Sequence, residues 1–344
     1  MDGRTAAAFA CVGVGVVFLL ICGSLLGRRL RLERRRRREP LQLPPVLEVH
    51  RAPWAELEEW RDGLAIAREL EEMAERGDPG AQAPLREELW SGDPVVRQAA
   101  VAALGRLAER HDWAIDGLVE ALAEHRDAPA SVAAQLDRLA PRVGIRLAPL
   151  LRHPSDVVRF YAVRLLRPYG DIARDLVPEL TGDTSPNVRA AALETLASAP
   201  SGTVLRRALD LLDDPHPLVR AQACRTAGAV SARAAAPFVV ALLADASWWV
   251  REAAREALVA AGRSAADVVL PVVGAPDPDA RLGAALVLQD VGIVDDLVAD
   301  GGDPRLLASI FAAGGKGMRT AATERAHRGL RLGRPTLVAE AGRR

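Results

Sequence analysis

Apolar positions along the chain fall into a phrase that returns at a nearly fixed interval. It is clearest in Asp93-Pro94-Val95-Val96-Arg97, followed by Ala100 and Leu104. With the arginine as origin, the phrase recurs at Arg159, Arg189, Arg220, Arg251 and Arg281, at intervals of 62, 30, 31, 31 and 30 residues. The preceding residue is Val96, Val158, Val188, Val219, Val250 and then Ala280. Three residues on stands Ala100, Ala162, Ala192, Ala223, Ala254 or Ala284, and seven on Leu104, Leu166, Leu196, Ala227, Leu258 or Leu288. Offsets of −1, +3 and +7 share one helical face. The long first interval hides a degenerate copy at Ser131-Val132-Ala133, which lacks the arginine. A period of about 31 residues predicts a stacked array rather than one globular core.

Each copy marks its own helix start. Four residues before the arginine come Asp93, Ser155, Ser185, His216, Ser247 and Asp277, and the next position is proline in four copies. Short polar side chains at that place are expected to cap the helix, and proline suits its first turn. Alanine at +3 lets two helix backbones approach closely. The arginine is expected to run along the array axis and bond an acidic turn residue of a neighbouring repeat. An apolar run precedes each such helix, as in Leu118/Leu122, Leu176/Leu180 and Leu209/Leu212, so each repeat reads as helix, turn, helix.

The pattern D-P-x-V-R-x-x-A-x-x-A-L resembles the short bacterial form of the HEAT repeat, the type also seen in phycobilin lyases. The resemblance covers residues 81–291, about seven copies. It implies an all-α fold, a right-handed α-solenoid of helix pairs, and a scaffold that binds proteins. It brings no catalytic residue that maps onto this chain.

Other stretches extend the picture. Residues 6–26 carry no charge, and as a helix they span about 31 Å, enough for a bilayer core of about 30 Å. Arg28, Arg29, Arg31, Arg34, Arg35, Arg36, Arg37 and Arg38 follow at once. Positive charge on that flank places the amino terminus outside and the rest in the cytoplasm, as a single-pass protein of the cell membrane. A cleaved signal would carry its positive residues before the apolar core. The expected division is an anchor (1–27), a basic and proline-marked linker (28–53), the array with capping helices (54–315) and a flexible basic tail (316–344).

Charge narrows the choice of partner. The formal net charge is zero, yet residues 28–38 carry +7 and residues 316–344 carry +6, leaving −13 on residues 39–315. An acidic array argues against nucleic acid, which wants a basic stripe. Of the three cysteines, Cys11 and Cys22 lie in the apolar stretch and Cys224 on a repeat helix, with no metal spacing. Gly315-Lys316 fails as a phosphate loop, since Gly317 replaces the Ser/Thr and Ile310 the first glycine. His153 and His216 sit in turns beside proline and read as capping residues. No cofactor, metal or small-molecule substrate is expected.

Trp248-Trp249 interrupts the phrase just before Arg251, and with Arg255 and Glu256 it forms the candidate partner contact. The competing reading packs both rings on Leu212 or Pro237. The function expected is a membrane-anchored scaffold at the cytoplasmic face. The alternative is a non-catalytic accessory subunit of a membrane enzyme complex, such as an envelope polysaccharide glycosyltransferase. A reporter active only in the cytoplasm, fused after Arg344, should be active; activity from an export-dependent reporter there instead would reverse the orientation.

Overall fold

The computed structural model describes residues 54–77, 79–124, 129–140 and 142–315. The expected anchor at 6–26, the arginines at 28–38, the linker and the tail from Lys316 lie outside the described residues. The chain divides into two units, Met1–Leu57 and Glu58–Arg344, and the array belongs to the second.

The described residues form helices joined by short turns, with no strand among them. Among them, seven helices carry the phrase or its degenerate form: α1 (Pro94–Leu107), α2 (Pro129–Arg138), α3 (Asp156–Leu165), α4 (Pro186–Ala197), α5 (Pro217–Val239), α6 (Trp248–Ala260) and α7 (Pro278–Asp290). A first helix precedes each one, for example Asp112–Glu124 before α2 and Gly202–Asp210 before α5. In several repeats the first helix ends in a tighter 3₁₀ turn: Pro178–Gly182, Leu211–Asp213, Val240–Ala244 and Leu270–Gly274. Prolines 178 and 271 lie in these turns and remove N–H donors from a regular α-ladder. Beyond α7 come Ile293–Ala299 and a helix over 304–315.

The three apolar offsets are the core. Every residue at −1, +3 and +7 in the six full copies is buried, from Val96 through Leu288. In the degenerate copy Val132 and Leu136 are buried at −1 and +3, Ala133 is buried in the arginine's place, and Ala140 at +7 is partly exposed. Alanine at +3 keeps neighbouring second helices close, and other small residues extend the effect. A Cβ on Gly228 would meet Ala257 Cβ at 2.9 Å and its Cα at 3.1 Å. The close approach also lets hydroxyls bridge repeats: Thr195 donates to the Val163 carbonyl and Thr226 to that of Leu193, both at 3.1 Å. Neither threonine is exposed, and each pairing satisfies a polar group that would otherwise be costly to bury.

Helix starts depart from expectation. Asp93 and Asp277 accept from Val95 N and Ala280 N, each at 2.7 Å, and His216 Nδ1 accepts from Leu218 N at 3.3 Å. Ser155, Ser185 and Ser247 make no side-chain cap bond. Their own N–H groups are taken from two residues upstream: Ser185 N donates to Asp183 (2.8 Å), Ser247 N to Asp245 (2.7 Å) and Ser155 N to His153 Nδ1 (3.1 Å).

Helix α5 is long enough and apolar enough to cross a membrane when extended to Ala244, with mean hydropathy 1.7. Length and composition alone carry that reading. Ser231 breaks it (φ −161°, ψ 85°), so one segment serves as the second helix of one repeat and the first of the next. On α5, Cys224 is fully buried, and burial pushes its thiol up to about 12. Leu196→Ala should cost about 2–5 kcal/mol through the cavity it leaves. Leu282→Ala, at an exposed position, should change stability by less than about 0.5 kcal/mol. Urea titration followed by circular dichroism measures both, and equal effects would contradict this core assignment.

Candidate functional site

Three of the repeat arginines form a ladder. Arg159 donates Nε and Nη2 to the two oxygens of Asp183 at 2.7 and 2.8 Å. Arg189 grips Asp214 at 2.8 and 2.8 Å, and Arg220 grips Asp245 at 2.8 and 2.9 Å. Each arginine also donates Nη1 to carbonyls of its own turn: His153 and Pro154, Asp183 and Thr184, and Asp214 and Pro215. These planar two-point pairs match guanidinium to carboxylate. All six side chains are largely shielded from solvent. Burial alone would raise the three carboxyls. The arginines and the N–H groups of Ser185, His216 and Ser247 outweigh it, and all three titrate below the ordinary aspartate range.

The ladder has ends. The position six before the next arginine is Asp183, Asp214 and Asp245, but then Ala275. Arg251 therefore turns to Asp279 (3.1 Å), whose side chain is about half exposed, and holds Asp245 O at 2.7 Å. Arg281 donates to Ala275 O and Pro276 O at 2.9 and 2.8 Å. At the other end, Arg97 donates to the Ser91 carbonyl.

Beside this ladder the turn edge changes character. Trp248 and Trp249 open α6 and stack on each other, with ring centroids 3.7 Å apart and planes inclined by 25°. They remain 52% and 57% exposed, so the packing alternative does not bury them. Leu218, one repeat earlier at the position equivalent to Trp249, is 43% exposed. Arg255 and Glu256 lie two turns further along α6. Arg255 pairs with Glu252 (2.6 Å) and Asp290 (2.6 Å), and Glu256 with Arg225 (3.1 Å). The structure thus puts the two tryptophans on a free edge and commits the two charges to ion pairs within and between repeats.

A second feature was not singled out from the sequence. A groove of about 400 Å³ runs over α2, α3 and α4, with Tyr161, Arg164, Arg167 and Glu194 on its walls. Arg167 pairs with Glu194 at 3.2 Å, and the Arg164 guanidinium lies 5.5 Å from the Phe160 ring centroid. Its signal in the sequence was Phe160-Tyr161, where no other full copy has an aromatic residue. The groove wall thus carries the Tyr161 ring and the Arg167–Glu194 ion pair. Among the described residues no group of three or more His, Cys, Asp or Glu is placed to hold a metal ion.

Stacked helix pairs, an apolar seam at fixed offsets and arginines reaching from turn to turn define an α-solenoid repeat protein. The family model for HEAT repeats matches residues 173–259 and 205–289, so this part of the array carries HEAT repeats. No curated protein matches the chain in sequence. Among solved structures it is similar to an engineered protein, at 20% identity over 72% of this chain and 77% of that chain, with a TM-score of 0.37. It is also similar to the complex of CpcE and CpcF of phycocyanin lyase from Nostoc sp. PCC7120, at 19% identity over 68% of this chain and 93% of that chain, with a TM-score of 0.36.

Removing Asp214 strands the Arg189 charge in a shielded site, so Asp214→Ala should cost about 3–5 kcal/mol at neutral pH. The ladder carboxyls titrate lower in the folded state than in the unfolded chain. Their stabilisation is complete above the unfolded value of 3.8 and is lost as pH falls through the folded values. The deficit of Asp214→Ala should therefore shrink in acid. A deficit that stays constant from pH 7 to pH 3 in urea titrations would remove the ladder from the stability account.

Proposed function

We propose that this protein is a membrane-anchored scaffold that gathers partner proteins through the turn edge marked by Trp248 and Trp249. The single observation that carries the reading is the stacked, half-exposed tryptophan pair. The repeat does not need large rings there, because four other copies have proline at the position of Trp248. Large rigid rings with little conformational entropy to lose are the side chains that most often dominate a protein interface. Leu218 extends the apolar surface to the adjacent turn, while the ion pairs of Arg255 and Glu256 fix the helix that presents it. The anchor is residues 6–26, with the arginines from Arg28 to Arg38 holding the array on the cytoplasmic side.

The test is capture of partners by the full chain from mild detergent extracts, compared with Trp248→Ala. The variant should keep its thermal midpoint, because the ring is already exposed. It should lose about 2 kcal/mol of binding, or about 30-fold in affinity. Unchanged capture, or a fall of several kcal/mol in stability, would reduce Trp248 to a packing residue. Recovery of one stoichiometric membrane partner would instead favour an accessory subunit of a membrane complex.

A further inference from the structure

The junction between α2 and α3 is built differently from those that follow it. Between α3 and α4, α4 and α5, and α5 and α6, a two-point arginine–aspartate rung closes the turn edge, its side chains only 4–17% exposed. Between α2 and α3 both members of that rung are replaced. Ala133 stands in the arginine's place and His153 in the aspartate's. His153 Nδ1 still accepts the N–H of Ser155, so the helix start is kept and the tie to the preceding repeat is lost. The hydroxyl bridge goes as well. Thr195 joins α4 to α3 and Thr226 joins α5 to α4, but the equivalent residue of α3 is Leu165.

A different tie spans this junction, on the layer of first helices. Arg142 and Arg146 reach back to the preceding first helix, Asp112–Glu124. Arg142 donates to Asp112 and to the Ala108 and Glu109 carbonyls. Arg146 donates to Asp112 at 3.2 Å and to Asp116 at 2.9 Å. The side chains of this clamp are 31–61% exposed, so water and salt weaken it far more than they weaken the rungs.

On the layer of second helices, the groove of about 400 Å³ opens at the same place. Ala130, Ala133 and Ala134 line it from α2 and leave it room to narrow. Asp137 on α2 and Arg164 on α3 also line it, yet they form no ion pair with each other. The Arg164 guanidinium lies over the Phe160 ring of its own helix instead. Opposite charges therefore face one gap whose width no shielded rung fixes. The apolar core continues across the junction through Leu136, Leu139, Leu147 and Val158, and packed helices of this kind slide and rotate by small steps without parting.

We propose that the α2–α3 junction is a joint, at which the outer Arg142/Arg146 clamp holds the groove open and its release lets Asp137 pair with Arg164 across it. Clamp and groove lie on opposite layers of the helix pairs, so loosening one narrows the other. The laddered repeats move as one block on the far side of the joint. This device is independent of the tryptophan edge.

Spin labels measure the joint in the full chain in detergent, with Cys11, Cys22 and Cys224 changed to alanine. Arg138, Asn187 and Ala260 are exposed and accept the labels as cysteine variants. The pair at 138 and 187 spans the joint, and the pair at 187 and 260 spans the rungs of Arg189 and Arg220. The first distance distribution should be the broader of the two. Arg142→Gln/Arg146→Gln should shorten the first distance by about 2 Å or more and leave the second where it was. Adding Asp137→Asn should return the first distance to its starting value. An unchanged first distance in the clamp variant, or an equal change in both pairs, would overturn the proposal. If the clamp variant loses helicity, installing the absent rung decides. Ala133→Arg/His153→Asp should narrow the first distribution to the width of the second, and a width that stays as it was removes the joint.

Discussion

The array depends on a carboxylate that serves two helices at once. Asp183, Asp214 and Asp245 each accept a backbone N–H at the start of their own second helix and both arms of the preceding repeat's arginine. The turn that begins one helix is thereby tied to the body of the helix before it. Apolar seams of alanine and leucine are tolerant of sliding, because one methyl resembles the next. A planar fork against a planar carboxylate is not, since displacement by a bond length unmakes two bonds in a shielded place. The pairs thus hold the register in which the seams close. Their net stabilisation is smaller than their geometry implies, because both charges must leave water.

Much of this was legible in the chain because a repeat states its rule many times. Val188, Ala192 and Leu196 mean little alone, but six aligned copies identify one buried face. The arginine's direction was legible as well, since a charge kept beside an invariant apolar face needs a partner within reach. The expected residues do start the helices, and Asp93, His216 and Asp277 cap with their side chains, but Ser155, Ser185 and Ser247 make no such bond. Asp183 takes the N–H of Ser185 itself, a bond that capping rules for Ser185 do not foretell. What decides is Arg159, twenty-six residues before Ser185, which orients Asp183. The 3₁₀ turns and the break at Ser231 escaped for a similar reason, as they answer to how neighbouring helices fit and not to apolar periodicity.

The candidate site was legible only as an exception. Trp248 and Trp249 stood out because the surrounding copies show what the position requires, and rings are not required. That both rings would stay open was a fact of packing, since any neighbouring repeat offers apolar surface for them to cover. Phe160 and Tyr161 broke the pattern in the same way one period after the degenerate copy, and there the result is a groove walled by ion pairs. Regular copies build the support, and departures from them build the surfaces that distinguish this array from another.

Cys224 gives the molecule an internal clock. The residue is fully buried in the apolar core of the array, and burial holds its proton more tightly than that of a free thiol. Only the thiolate reacts appreciably with alkylating reagents. Modification at this atom therefore waits for neighbouring repeats to part, and its rate counts how often they do. Breathing of the central array is thereby written into a covalent mark, four residues beyond Arg220 of the last two-point rung.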